Sequence, residues 1–524
     1  MKQILFFILL STISFGLTTQ EEENWKVVPC PNNISIKAGS FTFGDGVAIN
    51  YSDKSLKNIV KLFEQKLNEE GISTGSKTGN KIELKLDNSI EDPEGYVLKI
   101  TTGKIKLTAG TPQGIFYGSM TILQNIKHAN TKTVPCGSVN DAPRFKYRGF
   151  MLDESRHFFG KEKVKQILDM MSELKLNTFH WHLTDEPAWR IEIKAYPELT
   201  TVGGRGNYTD PDAPAKYYTQ DEIKEIVTYA ADRFITIIPE IDMPGHATAA
   251  NRAYPEFSGG GSKKHPDFTF NPGKEGTYEY LTTILREVAG LFPAPYIHLG
   301  GDEVHYGNEM WNTDQFVQEL MKKENLKTLT DVEHYFIRRM TDSIASLGKK
   351  TAGWDEITES GVPKDELLVY WWRHDKPDWL NKALANKYQI VLCPRIPLYF
   401  DFVQDASHKN GRRWAGNFCT TEGVYNYPDS KHSFNTKEKD LVKGIQANLW
   451  TERFETDKQL DFMTYPRILA LAESAWTDKN DKNFKRFEQL LPSWFDYFKQ
   501  KNIYYFNVLD PASTPEPKPI NKQK

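Results

Sequence analysis

Cysteine is scarce: Cys30, Cys136, Cys393 and Cys419 are all that 524 residues contain. Four thiols cannot staple a chain of this length, and their spacings match no zinc pattern. Cys30 and Cys136, each preceded by Val-Pro, either pair in an oxidising compartment or stay thiols like the other two. An excess of one charge is missing too. Lys+Arg 66 against Asp+Glu 69 leaves a net charge of −3, so there is no global positive field to hold nucleic acid or an anionic membrane. Long apolar runs are absent: Ile4 to Leu10 falls well short of the ~20 residues that span a bilayer, and no later segment is longer and as apolar. No internal repeat is visible, and no Gly-rich nucleotide fingerprint follows a strand-like segment. What remains is a globular composition, 39% hydrophobic and 26% charged, which excludes disordered, collagen-like and coiled-coil chains. Aromatics are plentiful: 12 Trp and 24 Tyr exceed the needs of a core and suit a surface that stacks flat, weakly polar ligands.

At about 150 residues per domain the length predicts two to four domains, or fewer if one is a barrel. Residues 1–19 read as a secretory signal peptide, with Lys2, a short apolar run, and then small residues leading to Thr18-Thr19-Gln20. No cysteine nearby marks a lipid anchor. An exported protein, periplasmic or secreted and with no membrane span, is therefore expected. Residues 20–142 hold strand-like runs at 35–43, 81–86, 96–102 and 104–109 and helical patterns at 54–69 and 114–126, a smaller α+β domain. From 143 to 505 the pattern becomes strand then helix, with strand-like runs at 148–152, 177–183, 235–241, 296–299, 351–354, 367–372, 389–393 and 444–449. Eight strands so alternated predict an α/β fold of the (β/α)8 TIM barrel type in preference to a doubly wound sheet. Residues 506–524, with prolines at 511, 515, 517 and 519, are expected to form an extended, poorly ordered tail.

A barrel carries its chemistry where its strands end at the C-terminal face. There the sequence places polar residues that a core would exclude: Asp153 to His157, His180 to Glu186, Glu240 to His246 and His298 to Glu303. They are joined by Trp354, Trp371-Trp372, Tyr399 to Asp401 and Asn448 to Glu452. Asp302 and Glu303 follow Gly300-Gly301, where the ending strand leaves the backbone free to turn both carboxyls toward one pocket. Paired carboxyls at a barrel mouth suit glycoside cleavage, in which one protonates the leaving oxygen while another group stabilises an oxocarbenium-like centre.

Five segments in order, Arg148-Gly-Phe-Met-Leu-Asp153-Glu-Ser-Arg156-His157, His180-Trp-His182-Leu-Thr-Asp185, Asp242-Met-Pro-Gly-His246, Leu299-Gly-Gly-Asp302-Glu303 and Trp450-Thr-Glu452, resemble glycoside hydrolase family 20 β-N-acetylhexosaminidases. The first domain resembles that family's N-terminal domain at Gly95-Tyr-Val-Leu and at Gly114-Ile-Phe-Tyr-Gly-Ser-Met. The resemblance implies retaining hydrolysis of terminal β-linked N-acetylglucosamine or N-acetylgalactosamine, without cofactor or metal. The substrate's own acetamido oxygen would act as nucleophile and give an oxazolinium intermediate, an exception to the two-carboxylate scheme. It further implies Glu303 as general acid and then base, Asp302 as the group orienting the acetamido N–H, and Tyr399 as donor to the acetamido oxygen. Asp185 and His246 would form a chain to Glu303. Arg156, Asp401 and Glu452 would hold sugar hydroxyls, and Trp354, Trp372 and Trp450 would wall the ring. Trp371 competes with Trp372 for that role; Trp372 is favoured because Arg373 follows it directly.

Two rival readings differ in class. His180 and His182, two apart on one strand, also suit a metal-dependent amidohydrolase, but there such a pair ends the first strand and is completed by late-strand ligands missing here. A catalytically inactive sugar-binding protein on the same scaffold is the other, and the intact Asp302-Glu303 pair speaks against it. Segments 203–216, 253–272 and 407–437 are expected to set substrate preference, and Gly259-Gly-Gly-Ser-Lys-Lys to be a flexible surface loop.

Overall fold

A computed structural model describes residues 25–519 apart from 45, 76–78 and 130. The leader expected at residues 1–19 lies outside them. Strands β1 (Asn33–Thr42), β2 (Val47–Tyr51), β3 (Asn80–Leu86), β4 (Tyr96–Thr101), β5 (Lys104–Ala109) and β6 (Thr133–Asp141) form one mixed sheet in the order β1-β6-β4-β5-β3-β2. In β3, Ile82 and Leu84 are buried while Lys81 and Lys85 face water, the period-2 pattern of a sheet with one covered face. Helices α1 (Lys57–Glu69) and α2 (Pro112–Ala129) belong to this domain. α1 buries Ile59, Val60, Phe63 and Leu67, one stripe at helical spacing. The sequence reading has no element at β2 or β6. In β6, Pro135 and Gly137 mask the strand signal; Gly137 is there because a Cβ would meet Ser35 O at 2.1 Å.

Strands β7 (Tyr147–Asp153), β8 (Thr178–His182), β9 (Thr236–Glu240), β10 (Tyr296–His298), β11 (Lys350–Trp354), β12 (Leu367–Trp371), β13 (Gln389–Leu392) and β14 (Val442–Leu449) close into a parallel barrel. β7 pairs with β14 in register Gly149↔Gln446, which seals the ring. β7, β8 and β12 are buried along their whole length, as strands walled by helices must be. Helix α3 (Lys161–Glu173) follows β7 and starts the outer ring. The fold is the TIM barrel with a preceding α+β domain that the alternation of elements predicts.

The seam between domains is ionic as well as apolar. Arg148, fully buried, meets Glu94 through two nitrogens at 2.8 and 2.9 Å. Lys175 lies 3.0 Å from Asp141, whose two oxygens also accept from the Trp476 indole N–H. All four cysteines are free and buried.

Two loop expectations need correction. The tail is docked up to residue 519: the Glu516 carboxylate accepts from Lys409 N and Asn410 N at 2.7–3.0 Å, and Asn410 Nδ2 donates to Pro517 O at 2.6 Å. Prolines lack an N–H but keep an outward carbonyl, so a Pro-rich strand gives barrel side chains acceptors to hold. Gly259 to Gly261 are buried, not a flexible surface loop. Gly259 N donates to Thr269 O at 2.7 Å, and a Cβ on Gly261 would meet His265 O at 2.0 Å.

Candidate active site

Each barrel strand ends by aiming side chains at one opening. β7 stops at Asp153, whose carboxylate accepts from the backbone N–H of Ser155, Arg156 and Thr451 at 2.9, 3.1 and 3.0 Å. That turn carries Arg156 over the mouth, 5.0 Å from the Trp450 ring and 2.6 Å from Asp185. Beneath lies Glu240 at the end of β9. It is fully buried and brings His180, His182 and His298 nitrogens within 3.0, 2.6 and 3.0 Å, with the Trp354 indole N–H at 2.9 Å. Sequence reasoning placed the strand histidines here but missed Glu240 and His298 as the hub. A carboxylate ending the apolar run Ile237-Ile238-Pro239 was the available signal.

From the hub a chain runs to the acidic pair Asp302-Glu303. His182 Nε2 contacts Asp185 Oδ2 at 2.8 Å, and Asp185 Oδ1 contacts His246 Nδ1 at 3.1 Å. His246 Nε2 then faces Asp302 Oδ2 and Glu303 Oε2, each at 3.8 Å. Burial opposes the charge on Asp185, but Arg156 and His246 outweigh it and hold the carboxyl well below the usual range. Burial likewise opposes the charge on His246, and there Asp185 and Asp242 win, so the imidazole keeps its proton well above the usual range. Asp242 and Asp302 go the other way. Burial pushes Asp242 up to about 8, with Glu240 and Asp185 reinforcing it against His246. Burial, then Asp242, pushes Asp302 well up. One oxygen of each has no hydrogen-bond partner.

The local backbone is held where few residues go. Gly300 and Gly301 have φ of 71° and 85°, and a Cβ on Gly300 would sit 1.8 Å from Asp242 Oδ1. His246 and Glu303 both sit at φ 54° without being glycine, each a strain of about 1–3 kcal/mol that the surrounding structure must offset. That turn lets two consecutive carboxyls share one pocket.

The pocket is a cavity of about 420 Å³. Of the residues singled out in the sequence, Arg156, Asp185, His246, Asp302, Glu303, Trp372, Tyr399, Trp450 and Glu452 line it. Trp372 and Tyr399 stack with centroids 6.3 Å apart, and Trp450 lies 6.2 Å from Tyr399, so the three rings make one wall. Trp371 packs against His432 instead, 5.6 Å away. Trp354 and Asp401 lie one layer back. Trp354 backs Trp450 at 5.9 Å with its N–H committed to Glu240. Asp401 lies 3.0 Å from Arg412, and Arg412 also contacts Glu452. Asp242, Arg395, Lys409, Arg412, Arg413 and Trp414 also line the cavity and were missed. Most come from segment 407–437; 203–216 and 253–272 contribute no lining residue.

Among the described residues, four sets of side chains converge closely enough to consider a metal: His180/Glu240/His298, His182/Asp185/Asp242, Asp185/Glu186/His246 and Asp242/His246/Asp302. Within the first three, contacts of 2.8 to 3.1 Å are shorter than the ~3.3 Å that 2.0 Å metal bonds at tetrahedral angles would impose.

The chain matches the glycosyl hydrolase family 20 catalytic domain over residues 145–479 and domain 2 of the same family over 24–142. This chain belongs to glycosyl hydrolase family 20. Membership places it among glycoside hydrolases of the β-hexosaminidase type. A β-hexosaminidase of Porphyromonas gingivalis is 35% identical over 485 residues, covering 88% of this chain and 62% of that one, so the chain spans less than two thirds of that relative. A β-hexosaminidase of Vibrio furnissii is 34% identical, covering 86% and 77%. Among solved structures, a family 20 exo β-N-acetylglucosaminidase from Vibrio harveyi in complex with N-acetylglucosamine superposes with TM-score 0.84 at 33% identity, covering 92% and 78%. A Bacteroides fragilis β-N-acetylhexosaminidase gives 0.80 at 32%, covering 91% and 96%. No helix among the described residues is long and apolar enough to cross a membrane.

Proposed function

We propose that this chain, exported by means of residues 1–19, removes terminal non-reducing β-linked N-acetylglucosamine or N-acetylgalactosamine with retention, through substrate-assisted catalysis. The observation that carries this reading is the state of the acids around Glu303. Asp185 is committed to Arg156 and His246, and Glu452 to Arg412, while burial disfavours the anions of Asp242 and Asp302. A double displacement through the enzyme needs an ionised, uncommitted carboxylate as partner to the general acid. The arrangement of the pocket acids supports the acetamido group of the substrate, in place of an enzyme carboxylate, as nucleophile.

In this scheme the acetamido oxygen bonds to carbon one as Glu303 protonates the departing glycosidic oxygen, and a cationic oxazolinium ring forms. Asp302 accepts from the acetamido N–H as a carboxylate and offsets the positive charge as the ring forms, so its stabilisation is greatest after the ground state. Tyr399, buried beside Trp450, donates to the acetamido oxygen. Glu303, now a carboxylate, takes a proton from the water that opens the ring at carbon one. A panel of aryl β-glycosides, with and without chelator, tests the scheme. Cleavage of 2-acetamido sugars alone, with retention and indifferent to chelator, is expected, and a thiazoline mimic of the intermediate should bind far more tightly than N-acetylglucosamine. Comparable rates on β-glucosides, or loss of activity with chelator, would overturn it.

A further inference from the structure

The pocket is divided by charge. One side carries Asp185, Asp242, Asp302 and Glu303; the outer side carries Arg395, Lys409, Arg412, Arg413 and Arg453. Two of these cations are neutralised within the protein, Arg412 by Asp401 and Glu452 and Arg395 by Asp375. Lys409, Arg413 and Arg453 form no ion pair among the described residues. Asp405 acts on Arg413 through space and Glu516 sits at the Lys409 backbone, but among the described residues neither side chain closes an ion pair, nor does Arg453, so their cationic groups stay available at the opening.

Their placement is fixed. Arg413 Nη2 donates to Ala406 O and His408 O at 2.7 and 2.9 Å, and the Glu516 carboxylate pins the backbone at Lys409. Trp414 stands among them and is 41% exposed. The Arg395 guanidinium lies 4.0 Å from its ring and 4.8 Å from that of Trp372, so Arg395 links the outer indole to the inner wall of the sugar pocket. An exposed ring beside the site of cleavage is a platform for a second sugar, and guanidinium forks match the paired oxygens of a carboxylate or sulfate.

We propose that the outer part of the pocket recognises an anionic group, a carboxylate or a sulfate ester, on the sugar attached to the cleaved hexosamine. This rests on the hexosaminidase reading above. The test compares kcat/KM for N-acetylglucosamine β-linked to glucuronic acid against glucose, and to 6-sulfated galactose against galactose. A neutral aryl N-acetylglucosaminide is run alongside. At low salt at least one charged substrate should exceed its neutral twin by about tenfold, the worth of one well-placed charged contact. Added salt should shrink that ratio, and Arg413→Glu and the milder Arg413→Gln should lower it toward one. Preference for the uronic acid alone assigns the site to carboxylates, and preference for the sulfated sugar alone to sulfate. Neutral twins cleaved as well as both charged substrates, or a ratio unmoved in the Arg413 variants, would overturn the proposal while leaving the hexosaminidase reading intact. An uncleaved aryl N-acetylglucosaminide would instead overturn that reading.

Discussion

At the seam between the domains Arg148 meets Glu94 at 2.8 and 2.9 Å, and Glu173 draws in Lys66 and Lys127 at 3.1 and 2.9 Å. At the barrel mouth Asp242 and Asp302 are buried close to each other, each with one oxygen lacking a donor. Both regions bury charge, but only the seam closes its accounts within the chain. A satisfied network rigidifies what it joins, whereas buried acids without donors cost stability unless a ligand completes them. The seam therefore holds two domains in register, and the mouth keeps its polar capacity for something that arrives later.

Breaking the comparison at the mouth should give the largest effect, on rate and not on stability. Glu303→Gln is expected to lose about 10² to 10⁴-fold in kcat on a disaccharide, the usual worth of a positioned acid, while melting within a few degrees of the parent. The loss of the first step should be smaller on an aryl glycoside with an acidic phenol, and azide should then intercept the intermediate as a β-glycosyl azide. Asp302→Asn should lose similar amounts on both substrates, because every leaving group needs the acetamido oriented. If Asp302→Asn shows the leaving-group dependence and Glu303→Gln does not, the two roles are exchanged.

Breaking the seam should do the reverse. Arg148→Met strands Glu94 as a buried unpaired anion, a loss of about 3–5 kcal/mol visible in denaturant unfolding, with kcat/KM of the folded enzyme close to the parent's. A seam variant that melts normally but loses activity would show that the two regions are not separate. Next in size is Trp450→Ala, expected to weaken substrate by about 1–3 kcal/mol through lost ring contact. If that variant unfolds instead, Trp450 belongs with the structural core behind it.

An effect of pH sharpens the point about incomplete satisfaction. Asp242 binds its proton more tightly folded, at about 8, than its ordinary value of 3.8. Its stabilising contribution is therefore full below 3.8 and is lost as pH rises toward 8. Asp242→Asn lacks that decline, so thermal melts at pH 5 and pH 8 should show the variant gaining on the parent by up to about 3–4 kcal/mol at the higher pH. A parent whose advantage grows with pH would mean that Asp242 is ionised and paired in the fold.

The sequence by itself determined the barrel strands and the adjacent carboxyls Asp302 and Glu303, because both rest on local physics. Strand and helix periods are properties of neighbouring residues, and Gly300-Gly301 before Asp302-Glu303 announces a left-handed turn that only glycine enters freely. The order of the barrel follows from that alternation with little else required. Depth, partnership and charge state were decided only by the tertiary structure. Trp354 and Trp450 read alike in the chain, yet one is sealed behind the other. Asp401 stands alone in the chain, and only the fold brings Arg412 against it. Glu516 reads as part of a loose tail, but it grips a loop 107 residues earlier. Asp185, Asp242 and Asp302 are the same residue type with opposite proton affinities, set by Arg156 beside the first and by desolvation around the other two. Burial and electrostatics depend on what comes together across long separations, and no window of sequence contains both partners.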